Sequence, residues 1–369
     1  MGQAHPLLFE YPHDERRKMT PISGIAGYAI FWFLFAFTFG LFARRMYYLS
    51  RYLMLGKGEK RFDHPVRRLG STIIHVIGQF CQIKGVSPRA KDLAGIGHAL
   101  IAWGFILLFI SYLLYIFIGE GFGISEIMRD NRFFLYYSYV LDITASLVLI
   151  AIIWAAIRRY IVRPARLEGE QSFEAGIILI LISILMVAHF FMEGFSIAAG
   201  LPPAAIHPPV GSALGSLLDN IGSNLWQPLH NAIWWLHYCV IIGFLVYIPY
   251  SKHLHIVVSA LNVFFSSSRP KGALTPVELE AAETFGVAKI EQFTWKQLLD
   301  LYACAICGRC QDNCPAYLSG KPLSPKKLIQ DLKEHLLEVG PALLRAKGQG
   351  VGEAKSSTHA LIGDVITED

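Results

Sequence analysis

Charge is scarce in this chain. Only 17% of its 369 residues are Asp, Glu, Lys or Arg, while 53% are apolar, and soluble domains carry about a quarter charged. Mean hydropathy is +0.42. An ordinary soluble protein is therefore excluded, and the deficit must lie in segments that avoid water. Cysteine is also sparse, with six in all. The first apolar segment lacks a small-residue cleavage site and runs straight into Arg44 and Arg45, so it reads as a retained helix and not a signal peptide. Neither an internal repeat nor a low-complexity tract is present.

What is there is a set of long apolar runs. A helix needs roughly 20 apolar residues to cross a bilayer, and five stretches qualify: 24–43, 93–118, 133–157, 173–198 and 229–250. No sixth is long enough. The connection at 44–91 holds eleven Lys or Arg, and the next one on that side adds Arg158, Arg159, Arg163 and Arg166. The loop at 119–132 has Arg129 and Arg132, and the long loop at 199–228 has none. By the positive-inside rule the N-terminus lies outside the inner membrane of the cell and the C-terminal part in the cytoplasm. The Arg16-Arg17-Lys18 tail is the one discordant piece. The net charge of +5 is this asymmetry and not a nucleic-acid footprint.

Four segments follow. Residues 1–23 form an extracytoplasmic tail and 24–258 a five-helix membrane domain. Residues 259–290 are a linker, marked by Ser266-Ser267-Ser268-Arg269-Pro270, and 291–369 a polar helical domain. Between the first two spans, 66–83 sets Leu69, Ile73, Ile77 and Phe80 among Arg67, Arg68 and Gln79, the pattern of a helix lying on the membrane surface. The fold class is all-α: a bundle of five transmembrane helices plus a cytoplasmic, helical, ferredoxin-like domain.

The most specific motif is Cys304-x2-Cys307-x2-Cys310-x3-Cys314-Pro315, a spacing by which thiolates wrap a [4Fe–4S] cluster. Structural zinc usually pairs two separated C-x2-C knuckles, and a reducing cytoplasm disfavours disulfides. In two-cluster domains the fourth cysteine serves the other cluster. The remaining cysteines here are Cys81, on the surface helix, and Cys239, in the fifth span. Either all four hold one cluster, or the second half is supplied by further chain or by a partner. The end at Asp369 looks incomplete. Helices are expected over 295–303 and 324–337 around the motif.

Histidines inside spans are costly and point to function. His98 lies at the cytoplasmic start of the second span, His189 in the outer half of the fourth, His230 and His237 in the outer half of the fifth, and His253 and His255 at its cytoplasmic end. His237 and His255 are eighteen residues apart, about five turns and about 27 Å along one face of a regular helix. That puts one haem ligand near each membrane surface. Depth matching then pairs His98 with His255 for an inner haem b and His189 with His237 for an outer one. The alternative is that these histidines hydrogen-bond between helices. Asp142 in the third span, Glu193 in the fourth and His230 are candidates for a quinone or proton site. Interhelical hydrogen bonding is the competing role for the carboxylates.

The run Pro249-Tyr250-Ser251-Lys252-His253-Leu254-His255, with Gly97-His98, resembles the gamma subunit of respiratory nitrate reductase, a di-haem cytochrome b. The resemblance covers roughly 24–258. That family's second ligand on the second helix falls at Leu108 here, so His189 is the substitute. The cysteine run resembles the iron–sulfur domain of heterodisulfide reductase-like proteins. The order of the two parts is similar to that of membrane-bound iron–sulfur oxidoreductases that couple electron-transfer flavoprotein to menaquinone. The resemblance implies electron transfer from a cytoplasmic partner through the cluster and two b haems to menaquinone. Three alternatives stay open: quinol oxidation feeding a heterodisulfide reductase-like partner, a non-catalytic membrane anchor for a redox complex, and a transporter. The last is disfavoured by the absence of inverted repeats and broken spans.

Overall fold

A computed structural model describes residues 21–84, 93–125, 128, 131–167, 172–199, 208–219, 224–270, 273, 286–349 and 360–366. Most of the expected N-terminal tail, much of the expected linker and the C-terminal end lie outside them. Five helices are long and apolar enough to cross a membrane: Gly24–Leu53, Ala94–Glu120, Arg132–Val162, Ser172–Ala198 and Trp226–Tyr250. No strand occurs among the described residues. The apolar runs are helical because a chain in hydrocarbon must satisfy every backbone N–H and C=O within itself.

The described residues fall into two compact units. The first comprises residues up to 40, 82–163 and 171–246; the second comprises 41–81, 164–170 and 247–369. The second unit thus draws on the connections between the first and second spans and between the third and fourth, as well as on the C-terminal chain.

In the membrane unit, α1 is Gly24–Leu53, of which the first part belongs here. The second span begins as α4, Ala94–Ser111, and continues as a π-wound stretch, Tyr112–Glu120, closed by Gly121 N–H to Ile116 C=O at 2.9 Å. The third, fourth and fifth spans are α5 (Arg132–Ile157), α6 (Ser172–Ala198) and α8 (Trp226–Tyr247). Leu108, Leu141, Val148, Leu185 and Met186 form one buried core. A second gathers Phe31, Trp234 and Tyr238, with the Phe31 and Tyr238 rings stacked at 4.5 Å and Tyr238 donating to the Phe31 carbonyl at 2.8 Å.

The loop expected at 199–228 contains a helix, α7, Pro209–Asp219. It lies tight against α6 because glycines face the contact. A Cβ on Gly194 would meet Leu214 at 2.8 Å, and one on Gly215 would meet Ile197 at 2.6 Å. Small residues at helix contacts in membranes permit such backbone approach.

In the second unit the surface helix expected over 66–83 is broken into α2 (Pro65–Thr72), a π turn (Ile73–Ile77) and α3 (Phe80–Lys84), with Gln79 at φ 50° between them. Its apolar side chains, Val66, Leu69, Ile73, Ile74 and Ile77, are at least half exposed, as an interfacial position requires. Buried Arg68 fastens α2, bonding Asp63 at 2.6 Å and the Phe264 and Ser266 carbonyls at 2.9 and 2.6 Å. The helix expected to run unbroken from His237 to His255 stops at Tyr247. A 3-10 turn follows over Ile248–Tyr250, and α9 starts afresh at Leu254–Phe264. Pro249 causes the break, since it has no N–H and its ring crowds the preceding turn. The shared-face argument for His237 and His255 is lost with it. Helices α10 (Trp295–Ala303) and α11 (Pro325–Gly348) pack Leu298, Tyr302, Leu332 and Leu336 against Leu49, Tyr52 and Leu254.

Candidate functional site

In the membrane unit, five of the polar residues singled out in the sequence line one cavity of about 160 Å³: Asp142, His189, Glu193, His230 and His237. They come from the third, fourth and fifth spans. Missing from that set were Tyr112, Tyr115, Ser138 and Glu120, which also line it. Three of these four ride on the π-wound end of the second span, which apolar periodicity alone does not disclose. A water needs only about 10–15 Å³ of such space, so there is room for a ring-sized polar group.

The wall is unevenly satisfied. Asp142 is 1% exposed, and its Oδ2 accepts the Val210 N–H at 2.9 Å, capping α7. Its Oδ1 has no hydrogen-bond partner, and neither has His189 Nε2 or His237 Nδ1. Leaving a buried polar atom unbonded costs about 1–3 kcal/mol, so three such atoms around one cavity describe a site shaped for a polar occupant. The Tyr112 ring meets the His237 ring edge-on at 5.4 Å and holds its plane. His230 Nδ1 donates to Asn231 Oδ1 at 3.3 Å, which leaves Nε2 as the lone-pair nitrogen. Tyr115 donates to the Phe134 carbonyl at 2.8 Å and lies 2.9 Å from the Ser138 hydroxyl. His189 and His237 stand on separate helices, each with a buried, unbonded ring nitrogen, which fits the axial ligation of a haem.

His98 and His255 are not at this cavity. His98 is exposed, as the fifth residue of α4. His255 belongs to the second unit, where its Nδ1 donates to the Lys252 carbonyl at 2.6 Å. That bond fixes the tautomer with the proton on Nδ1 and the lone pair on Nε2, the arrangement that metal-binding histidines commonly use. Burial pushes its pKa below the ordinary value, and the Lys252 bond opposes the shift; a neutral ring is what iron binds.

The cysteine run occupies the turn after α10. A capping box of Thr294 and Gln297 starts that helix. After Ala303 the chain opens, with Ile306 at φ 54° and Gly308 at φ 73°. Left-handed residues alternating with ordinary ones make concave nests of N–H groups of the kind that hold iron–sulfur clusters. A β-branched residue there costs of order 1–3 kcal/mol and marks a functional turn. Burial pushes the Cys304 and Cys310 thiols up, while the Ile306 and Gln311 backbone N–H groups bonded to them act in the opposite direction. Cys304 and Cys314 are half-buried, and Cys307 and Cys310 exposed. Among the described residues, no three His, Cys, Asp or Glu side chains converge tightly enough for a single metal ion. A cubane makes no such demand, because each thiolate binds a different iron. Four thiols on one turn, two of them with a backbone amide bonded to the sulfur, fit a cluster.

Three curated proteins bear on this arrangement. The chain is 34% identical to the EtfAB:quinone oxidoreductase of Syntrophomonas wolfei, over 80% of its own length and 42% of that protein. It is 32% identical to the probable iron-sulfur-binding oxidoreductase FadF of Bacillus subtilis, over 94% of its length and 51% of that protein. A shorter match, 40% identical over 93 residues, joins 24% of the chain to 14% of a probable membrane-anchored ferredoxin of Chromohalobacter salexigens. No family model matches the chain, and no solved structure does. The chain spans about half the length of the first two relatives, or slightly less. Over most of its own length, then, it is similar to proteins named as iron–sulfur and quinone oxidoreductases.

Proposed function

We propose that this chain is the membrane electron-transfer part of a quinone-linked oxidoreductase, joining a cytoplasmic [4Fe–4S] site to the quinone pool of the inner membrane. Cys304, Cys307, Cys310 and Cys314 hold the cluster. His98 and His255 hold an inner haem b, and His189 and His237 an outer one. When bound, these groups supply one-electron carriers between a soluble two-electron donor and a membrane quinone. The chain supplies axial nitrogens, a low-dielectric bundle and protonable groups near the quinone: Asp142, Glu193 and His230. The soluble donor is an electron-transfer flavoprotein and the acceptor a quinone, a pairing supported by the name of the Syntrophomonas relative; the quinone is menaquinone. The N-terminus lies outside and the cysteine run in the cytoplasm.

The observation that carries this reading is the set of buried, unbonded polar atoms from three spans, Asp142 Oδ1, His189 Nε2 and His237 Nδ1, around one cavity. A passive anchor has no use for them, because apolar packing would avoid the cost. The test is a reduced-minus-oxidised visible spectrum of the purified protein with pyridine haemochrome quantification. Two b haems per chain are expected. One would return His189 and His237 to packing. None, in a preparation loaded with haem during expression, would overturn the cytochrome reading and leave an iron–sulfur membrane anchor.

A further inference from the structure

Lys326 is in an unfavourable place for a lysine. Its side chain is buried, the residue being 7% exposed, and it is the second residue of α11, just after the Ser324 cap and Pro325. Burial of an ammonium is costly, and the N-terminus of a helix is its positive end, where cations are disfavoured. Its Nζ donates to the Arg166 carbonyl at 3.4 Å. That same carbonyl lies against the cysteine run: a Cβ on Gly308 would come within 2.6 Å of it. The Arg166 guanidinium bonds Asp312 Oδ2 at 2.8 Å, between Cys310 and Cys314. The turn Ala165–Leu167 therefore sits on the cluster loop, with the Lys326 ammonium bonded to its backbone.

Lys333 stands seven residues further along α11, two turns on and on the same face. A cubane held by four thiolates is anionic in both redox states and gains a further negative charge on reduction. A buried cation beside it therefore favours the reduced form, and net charge is one of the main determinants of cluster potential.

We propose that Lys326, assisted by Lys333 on the same face of α11, is the counter-charge that raises the reduction potential of the cluster at Cys304–Cys314. The proposal rests on the cluster reading above and adds to it a residue that neither binds iron nor touches quinone. The test uses the full chain purified from membranes under argon, with iron and labile sulfide assayed first and the midpoint then taken by a redox titration followed by electron paramagnetic resonance. In K326Q the reduced-to-oxidised ratio at fixed potential should fall roughly tenfold, which is 59 mV for one electron. K326R should stay within about threefold of the parent, and K333Q should shift in the same direction by less. A K326Q protein with full iron and sulfide and an unmoved midpoint overturns the proposal. Should K326Q fail to keep its cluster, half-exposed Lys333 decides instead: an unmoved midpoint in fully loaded K333Q overturns it equally. Absence of iron and sulfide from the parent protein after anaerobic reconstitution would sink the cluster reading itself, a distinct result.

Discussion

Asp142 is placed to cap a helix that cannot cap itself. Pro208, at the N-cap position of α7, has no side-chain oxygen, and is itself fully buried. The acceptor for the Val210 N–H comes instead from the third span, at 2.9 Å. In Asp142→Ala that acceptor is lost. Removal of an N-cap oxygen typically costs about 0.5–2 kcal/mol, and a carboxylate near a helix N-terminus adds up to about 2 kcal/mol when partly buried. Against this, the substitution removes a carboxylate that is 1% exposed and carries its own desolvation penalty. The net expectation is a loss of about 1–2 kcal/mol, or roughly 2–8 °C in Tm for a domain of this size. Asp142→Asn keeps an oxygen for Val210 and removes the buried charge, so it should melt within about 2 °C of the parent. Thermal unfolding in detergent, followed by tryptophan fluorescence, measures both. The reasoning is refuted if Asp142→Ala melts with the parent, or if Asn is as damaging as Ala. The Asn variant then isolates chemistry from fold: intact and haem-loaded, it should reduce quinone analogues at least tenfold more slowly.

His189→Ala and His237→Ala should each lower haem from two to one per chain by pyridine haemochrome, while iron and labile sulfide stay at parental levels. Retention of both haems in either variant would assign these rings to packing. Gly308→Ala should lose most of the cluster. Its φ of 73° costs an L-residue about 1–2 kcal/mol, and its new methyl would press on the Arg166 carbonyl. Iron and sulfide analysis reads the result, and a fully loaded Gly308→Ala protein would show that the loop adopts another path around its metal.

The membrane helices were legible because their signal is long and redundant: twenty apolar residues cannot avoid water in any other way. The helix expected over 295–303 is present at those bounds, Trp295–Ala303, where the capping box of Thr294 and Gln297 starts it and the cysteine run ends it. Helix α7 was not legible, because Pro, Gly and Ser at 208–216 read as loop when taken locally. What makes them helical is distant, namely the Asp142 cap and the glycine contacts with α6. The gathering of Asp142, Glu193, His189, His230 and His237 on one cavity follows from matched depth, which residue counting estimates well within straight spans. Tyr115 and Glu120 escaped notice for the opposite reason. The π-wound stretch Tyr112–Glu120 shifts the helical register, so a 3.6-residue wheel cannot say which side chains turn inward.

The same limit governs His255, and it yields a sharper argument than register did. The break before it is encoded twice. Pro249 cannot donate within a helix, and Ser251, extended at φ −114° and ψ 173°, accepts the His253 N–H on its hydroxyl at 3.1 Å. With the chain turned in this way, the Lys252 carbonyl reaches His255 Nδ1 at 2.6 Å and sets the ring for ligation through Nε2. In an unbroken helix that carbonyl would be directed along the axis to the backbone N–H four residues on. Pro249→Ala alone should therefore leave the haem content unchanged, because Ser251 still ends the turn. The double variant Pro249→Ala with Ser251→Ala should let α8 run on, release His255 from Lys252 and lower haem by about one per chain, with helicity by circular dichroism maintained or raised. If the double variant instead keeps every haem with the parent's spectrum, the orientation of His255 does not depend on the break, and regular helical phase would again be the simpler account of how it meets its iron.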